Sequence, residues 1–508
     1  MPTLFINGVP VSVPAGLRLS DALPSSHQIP LPCAGLGRCG KCRVIATGAL
    51  SPVSEAEKAA LTKEDLANHV RLACCTFLLG DASVTTEKAA NAQILLGTEP
   101  QTATPSRLAS HAGYTRLGAA IDLGTTTLAA RLYDETGRLL TQGGRPNPQN
   151  RFGADVIARI QASIDGEGQA LARSVSDGIT ELLSSLCQEA GRCLEEIDGL
   201  VIAGNTAMLY LLTNTPPHAL SKAPFQADRL FDEIVTAESL SLPVAPGARV
   251  YLPRCLSAFV GADITAALLF DQTATGNESR ALMDIGTNGE MALWHNGTLY
   301  ACSTAAGPAF EGAGLSMGMN GETGAIDHMR VENGQLCAHV LGETTPRGVC
   351  GSGVIDAVAC LLETEQMDET GLLDDDPTML MPPVSLSQKD IRMVQLAKSA
   401  ICAGFLTLLQ TVGLPLSGLS SLSVAGGFGS YLHLPSAGRM GLLPADVLSR
   451  VRVIGNASLY GASQLLLDPS LREKATAVAK NAQIVPLHAN PVFSSLYAEN
   501  MLFPEEDE

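Results

Sequence analysis

Aromatic side chains are scarce here, with one Trp and eight Tyr in 508 residues. So thin a supply leaves little material for a surface that stacks nucleobases. Basic charge is short as well, 33 Lys and Arg against 51 Asp and Glu, and the net charge of -18 repels both nucleic acid and anionic membranes as partners. No run of about 18 apolar residues occurs. The N-terminal MPTLFINGVPVSVPAG has no basic stretch leading into an apolar core. The expectation is a cytoplasmic protein, neither exported nor membrane-spanning.

What is present suits large folded units. With 46% hydrophobic and 17% charged residues the chain can bury substantial cores, and its length predicts about three folding units at ~150 residues each. The 49 glycines imply many tight turns and close backbone approaches. Thirteen cysteines, an odd number without a secretory leader, read as reduced thiols, so a local cysteine cluster points to metal rather than disulfides.

Residues 1–88 form the first predicted unit. Thr3 to Ile6 and Val9 to Val13 read as strands around an Asn7-Gly8 turn, and Pro10, lacking an N–H, places the second strand at a sheet edge. Leu17 to Leu23 reads as a short helix, giving the strand, strand, helix order of a β-grasp unit. Residues 89–116 lack periodicity and read as a linker. From Leu117 the chain alternates strands and helices. Within that part Ala-Ile-Asp122-Leu-Gly-Thr125 resembles Leu-Met-Asp284-Ile-Gly-Thr287, and Val-Ile-Ala-Gly204 resembles Ser-Val-Ala-Gly426 in the same order. Two motifs repeated in order predict a duplicated α/β domain, with halves at 117–280 and 281–508.

Cys33, Cys39 and Cys42 stand in LPCAGLGRCGKC, a C-x5-C-x2-C run, with Cys74 and Cys75 downstream in RLACC. This is close to the plant-type ferredoxin spacing and matches its adrenodoxin-like variant. Four thiolates must converge on two irons, and Gly35, Gly37 and Gly40 let backbone N–H groups turn toward the cluster sulfurs. Structural zinc is the rival, but the adjacent Cys74-Cys75 has the wrong spacing for a second zinc pair. Spacing does not decide between Cys74 and Cys75. The remaining cysteines, Cys187, Cys193, Cys255, Cys302, Cys337, Cys350, Cys360 and Cys402, read as small core residues.

A strand that ends in Asp-x-Gly-Thr and turns into a hairpin offers N–H groups and hydroxyls to phosphate oxygens, and its Asp is a hard ligand for Mg2+. Two such loops, led by Asp122 and Asp284, suit a cleft that clamps a nucleotide's triphosphate from both sides. Gly426, Gly427 and Phe428 end a strand with room for adenosine. Gly351 and Ser352, at a helix start, are candidate N–H donors, although a capped helix without ligand has the same sequence.

Together these features resemble one family over almost the whole chain: the reductive activators of corrinoid proteins, which restore Co(II) corrinoid methyl carriers to Co(I). The segments that carry the likeness are PCAGLGRCGKC, VRLAC, AIDLGTTTLAARL, NPQNRFGADVIARI, VIAGNTAM, FVGADI, MDIGTNGEMAL, CSTAAGPAFEGAGLSMGM, GVCGSGVIDAV, SVAGGFGSYL and IGNASLYGA. The resemblance implies an N-terminal β-grasp [2Fe-2S] ferredoxin-like domain and a duplicated ATPase domain of the actin, sugar-kinase and Hsp70 type (ASKHA, ribonuclease H-like). It implies Cys74 as the fourth ligand beside Cys33, Cys39 and Cys42. It also implies Mg2+ at Asp122 and Asp284, phosphate at Thr125, Thr126, Gly286, Thr287 and Asn288, and Asn205 and Glu311 in the cleft. The implied partners are a corrinoid methyl-carrier protein and an upstream electron donor, and the implied assembly a homodimer. Larger family members carry a further domain between the two parts, where this chain has only its linker. Two alternatives remain: an ATP-driven donor to another low-potential acceptor, as in 2-hydroxyacyl-CoA dehydratase activators, and a redox sensor that binds nucleotide without turnover. A sugar kinase leaves the ferredoxin part unexplained.

Overall fold

The computed structural model describes residues 1–24, 29, 31, 35, 37–38, 40–86, 113–426 and 432–504. In the first unit β1 (Thr3–Ile6) and β2 (Val9–Ser12) form the expected hairpin, and β3 (Arg43–Leu50), β4 (Val70–Leu72) and β5 (Leu78–Thr85) complete a sheet of order β2-β1-β5-β3-β4. β1 runs parallel to β5 at its centre, and Pro10 lies on the edge strand. The expected helix shrinks to Leu19–Ala22. Leu17 and Arg18 are instead drawn into extended pairing with Phe77 and Leu78, whose backbone bonds outweigh one turn of helix. Two short helices, Glu55–Ala60 and Lys63–Ala67, each begin with a capping box, from Ser54 with Glu57 and Thr62 with Asp65.

The second part is built twice. The first sheet holds β6 (Leu117–Leu123), β7 (Thr127–Asp134), β8 (Leu139–Pro146), β9 (Ile197–Gly204), β10 (Glu233–Thr236) and β11 (Arg249–Leu252), in the order β10-β11-β9-β6-β7-β8. In the next half β12 (Arg280–Ile285), β13 (Gly289–His295) and β14 (Thr298–Thr304) are followed by a small sheet of β15 (Ala325–Glu332), β16 (Gln335–Val340) and β17 (Gly348–Val349) and by a hairpin of β18 (Thr378–Met381) and β19 (Val384–Leu386). β20 (Ser421–Ala425), β21 (Val451–Gly455) and β22 (Gln483–Ile484) then close a sheet of order β21-β20-β12-β13-β14-β22. In each half three antiparallel strands are flanked by two parallel ones, β9 and β11 in the first, β20 and β21 in the second. The duplication expected from two short motifs extends to five strands of each sheet, and the sixth differs: β10 adds antiparallel beside β11 in the first, β22 parallel beside β14 in the second.

Each sheet packs a long helix, Gly168–Glu189 in the first half and Gln388–Thr411 in the second. The latter is long and apolar enough to cross a membrane, yet its Ile391, Val394, Ile401 and Phe405 are core residues of the second half. Between the sheets lie helices Ala262–Asp271 and Ala457–Leu467, and they cross over. Leu459, Leu465 and Leu466, near the chain's end, cover Ala120, Ala129, Val201 and Ala203 of the first sheet, while Ile264, Ala267 and Leu268 cover Leu282, Ala292, Leu299 and Ala301 of the second. The two helices touch backbone to backbone at Gly461, where a Cβ would stand 1.9 Å from the Ala266 carbonyl oxygen.

Candidate functional site

Cys42 and Cys74 are brought together by the sheet of the first unit. Cys42 immediately precedes β3 and Cys74 follows β4, and these strands pair so that Arg43 lies opposite Leu72. The two Sγ atoms stand 3.2 Å apart, both buried, while Cys75 is half-buried with its Sγ 3.6 Å from that of Cys74. The Cys42 contact and then burial push the Cys74 thiol up, and burial pushes Cys75 up to about 11; such thiols need a cation to become thiolates. Gly35, Gly37 and Gly40 have positive φ, and a Cβ on Gly37 would come 2.6 Å from the Cys75 Sγ. Convergent buried thiols under a glycine-bent loop fit an iron-sulfur cluster. Cys33 and Cys39 lie outside the described residues. Of the cysteines expected in cores, Cys187, Cys255, Cys302, Cys350, Cys360 and Cys402 are buried, but Cys193 is exposed and Cys337 half-exposed, since both fall at the ends or edges of elements.

The cleft lies where β6 and β12 end. Both Asp-x-Gly-Thr loops close on a glycine N–H, but the second turn is one residue shorter: Gly124 N–H donates to the Thr127 carbonyl and Gly286 N–H to that of Asn288. The loops meet on one side chain: Glu311 accepts from Thr126 Oγ1 at 2.8 Å, from Thr287 Oγ1 at 2.6 Å and from Thr287 N–H at 3.1 Å. Asn205 caps helix Thr206–Leu212 and donates to Thr125 Oγ1 at 3.0 Å. Gly426, at φ +118°, lets β20 end against β12, since a Cβ there would press on the Ile285 carbonyl at 2.4 Å and on Asp284 Oδ1 at 3.2 Å. Gly427 and Phe428 lie outside the described residues. Gly351 packs behind Phe310, whose carbonyl would be 1.8 Å from an added Cβ, and the Ser352 hydroxyl donates to the Asp327 carbonyl.

Negative charge accumulates around this point. Asp122 accepts from Asn456 Nδ2 at 2.8 Å and Ser458 Oγ at 2.7 Å, yet burial still raises it. Asp284 is pushed up to about 7 by burial and by the nearby charges of Asp122 and Glu311. Asp263 and Glu290, which the sequence reading did not single out, are raised by burial first and then by neighbouring carboxylates. Glu290 stands directly opposite Asp284 on β13, and its Oε1 is buried without a hydrogen-bond partner among the described residues. The fully buried Arg159 lies close enough for Glu311 to oppose the lowering that burial imposes on it, which leaves it at about 10. So many buried carboxylates call for a bound cation. No three Asp, Glu, His or Cys among the described residues cage an ion by themselves.

Residues 4–79 match the 2Fe-2S iron-sulfur cluster binding domain, residues 117–274 the RACo middle region, and residues 278–508 the C-terminal domain of RACo, described as the ASKHA domain. The corrinoid activation enzyme RamQ of Eubacterium limosum is 34% identical over 421 residues, covering 76% of this chain and 70% of that protein. The [Co(II) methylated amine-specific corrinoid protein] reductase of Methanosarcina barkeri is 26% identical, covering 75% and 76%. A solved reductive activator for corrinoid,iron-sulfur protein superposes with a TM-score of 0.73 at 26% identity, over 100% of this chain and 99% of that one.

Proposed function

The chain belongs to the RACo family of corrinoid activators, and from that membership and the cleft geometry we propose that it is an ATP-dependent reductive activator. It passes one electron to the Co(II) corrinoid of a methyl-carrier protein and so restores Co(I). The observation that carries the nucleotide part is the convergence of both Asp-x-Gly-Thr loops on a single carboxylate, which marks a point where hydroxyl and N–H donors from two sheets hold an anion.

In this reading Cys33, Cys39, Cys42 and Cys74 hold the [2Fe-2S] cluster, which when bound supplies the one-electron donor. Asp122 and Asp284 hold Mg2+. Thr125, Thr126, Gly286, Thr287 and Asn288 bind phosphates, with Gly351 and Ser352 behind them, and Gly426, Gly427 and Phe428 border adenosine. Plant-type clusters lie near about -400 mV, and each 100 mV of uphill transfer costs roughly 2.3 kcal/mol per electron. Closure of the two halves on ATP offsets that cost by favouring one arrangement of protein and partner. An upstream low-potential donor re-reduces the protein, which works as a cytoplasmic homodimer.

The test mixes pre-reduced protein, MgATP and a Co(II) corrinoid carrier. A Co(I) absorption band that requires MgATP is expected. No such band, with the cluster reduced and nucleotide bound, would sink the proposal.

A further inference from the structure

Lys41 sits in the cluster loop between Cys39 and Cys42, yet its ammonium group reaches into the other part of the molecule. Its Nζ donates to the carbonyl oxygens of Leu315 at 3.1 Å and Ser316 at 2.7 Å. Those carbonyls belong to the segment that follows Glu311. Ser316 is itself anchored, its N–H donating to Asp390 Oδ1 at 2.7 Å at the start of helix Gln388–Thr411. A single short stretch, 311–316, therefore carries the carboxylate that joins the two phosphate loops and the carbonyls that hold the cluster loop.

The donors on Glu311 are those a phosphate needs. The Thr287 N–H is one donor and bonds Glu311 at 3.1 Å, so a phosphate oxygen takes it only by expelling the carboxylate, and two anions at that distance also repel. We infer that Lys41 latches the cluster loop to the nucleotide cleft, and that phosphate binding, by expelling Glu311, strains segment 311–316 and releases the latch. The inference rests on the ATP-binding reading above. It makes ATP the trigger that frees the ferredoxin unit to meet its electron acceptor, and by linkage the latch must in turn weaken ATP binding.

The test uses the full chain with its cluster loaded, with hydrogen exchange and calorimetry on the same samples. In the wild type, saturating MgATP is expected to speed amide exchange in segments 40–46 and 313–319 by about threefold or more. Lys41→Met is expected to exchange at the faster rate without nucleotide and to bind MgATP roughly threefold tighter. Lys41→Arg, which keeps the cation, should restore wild-type affinity. Glu311→Gln, a neutral competitor for the same donors, should also tighten binding. MgATP that binds the wild type without changing exchange, or equal MgATP affinity in wild type and Lys41→Met, would overturn the latch and leave the ATP reading standing. No MgATP binding in any variant would overturn both.

Discussion

At the scale of single residues the two phosphate loops are not equivalent, despite the shared motif. Opposite Asp122 on the neighbouring strand stands Ala129, and opposite Asp284 stands Glu290. Asp122 is met by the neutral donors Asn456 and Ser458 from the crossing helix, whereas the other crossing helix brings the acidic Asp263 toward Asp284. Like charges directly opposite on adjacent strands destabilise a sheet, so the second loop stores a repulsion that a cation relieves. Glu290→Gln is expected to stabilise the free protein by on the order of 1 kcal/mol, seen as a higher melting temperature, and to weaken MgATP binding. Thermal shifts with and without MgATP read both signs, and a variant less stable in both conditions would refute the stored repulsion. Asp122 and Asp284 were legible in the sequence because they recur in one motif. Asp263 and Glu290 were not, since a lone acid in an otherwise apolar helix or strand has no periodicity, and only tertiary convergence gives it a role. Glu311 was legible only as one polar position of a family-like segment, and its bonds to both loops depend on residues 24 and 185 positions away.

At the scale of elements, helix Glu55–Ala60 shows how a buried charge positions the cluster loop. Glu57 is fully buried and accepts from Arg71 Nε at 2.7 Å, from the N–H groups of Ser54 and Leu72, and from Thr76 Oγ1, which ties the helix to the strand leading into Cys74. Burial alone would raise this carboxyl, but the Arg71 and backbone donors outweigh it and hold Glu57 down at about 2. A depressed carboxylate gives stability that is complete above its ordinary value of 4.5 and is lost as pH falls toward 2. Glu57→Gln leaves Arg71 without its anion, so a loss of ~3 kcal/mol at neutral pH is expected. Acid unfolding of the first unit, followed by circular dichroism, should lose its steep dependence between those two pH values; an unchanged acid transition would refute the assignment. The hairpin, the edge position of Pro10 and the repeated strand-loop-strand units could be read in the sequence because local turn and strand signals decide them. The helix at 17–23 was overestimated because distant Phe77 and Leu78 claim its first turn as β structure, a pairing that no local signal carries.

At the scale of the whole molecule, the crossed helices decide how the chain comes apart. The inner face of the first sheet is covered by Leu459, Leu465 and Leu466 from near the end of the chain, and that of the second by Ile264, Ala267 and Leu268 from the first half. Each half has a core of its own on the other face of its sheet, but the inner faces are closed only by a helix from the opposite half, so the two sheets are expected to unfold together, whereas the first unit has a separate core around Leu4, Ile6, Leu72 and Leu78. Calorimetry of the full chain is expected to show two transitions, with MgATP raising only the larger. Gly461→Val drives a side chain into the Ala266 carbonyl and should lower that larger transition by about 1–3 kcal/mol of overpacking, while the visible spectrum of the iron-sulfur unit stays unchanged. The same wedge sits beside Asn456 and Ser458, which hold Asp122, so nucleotide affinity should fall with stability. Separate transitions for the two sheets in the wild type would mean that the crossing helices do not join the halves into one cooperative body, and the cleft between them would then lack the rigid hinge that closure on ATP requires.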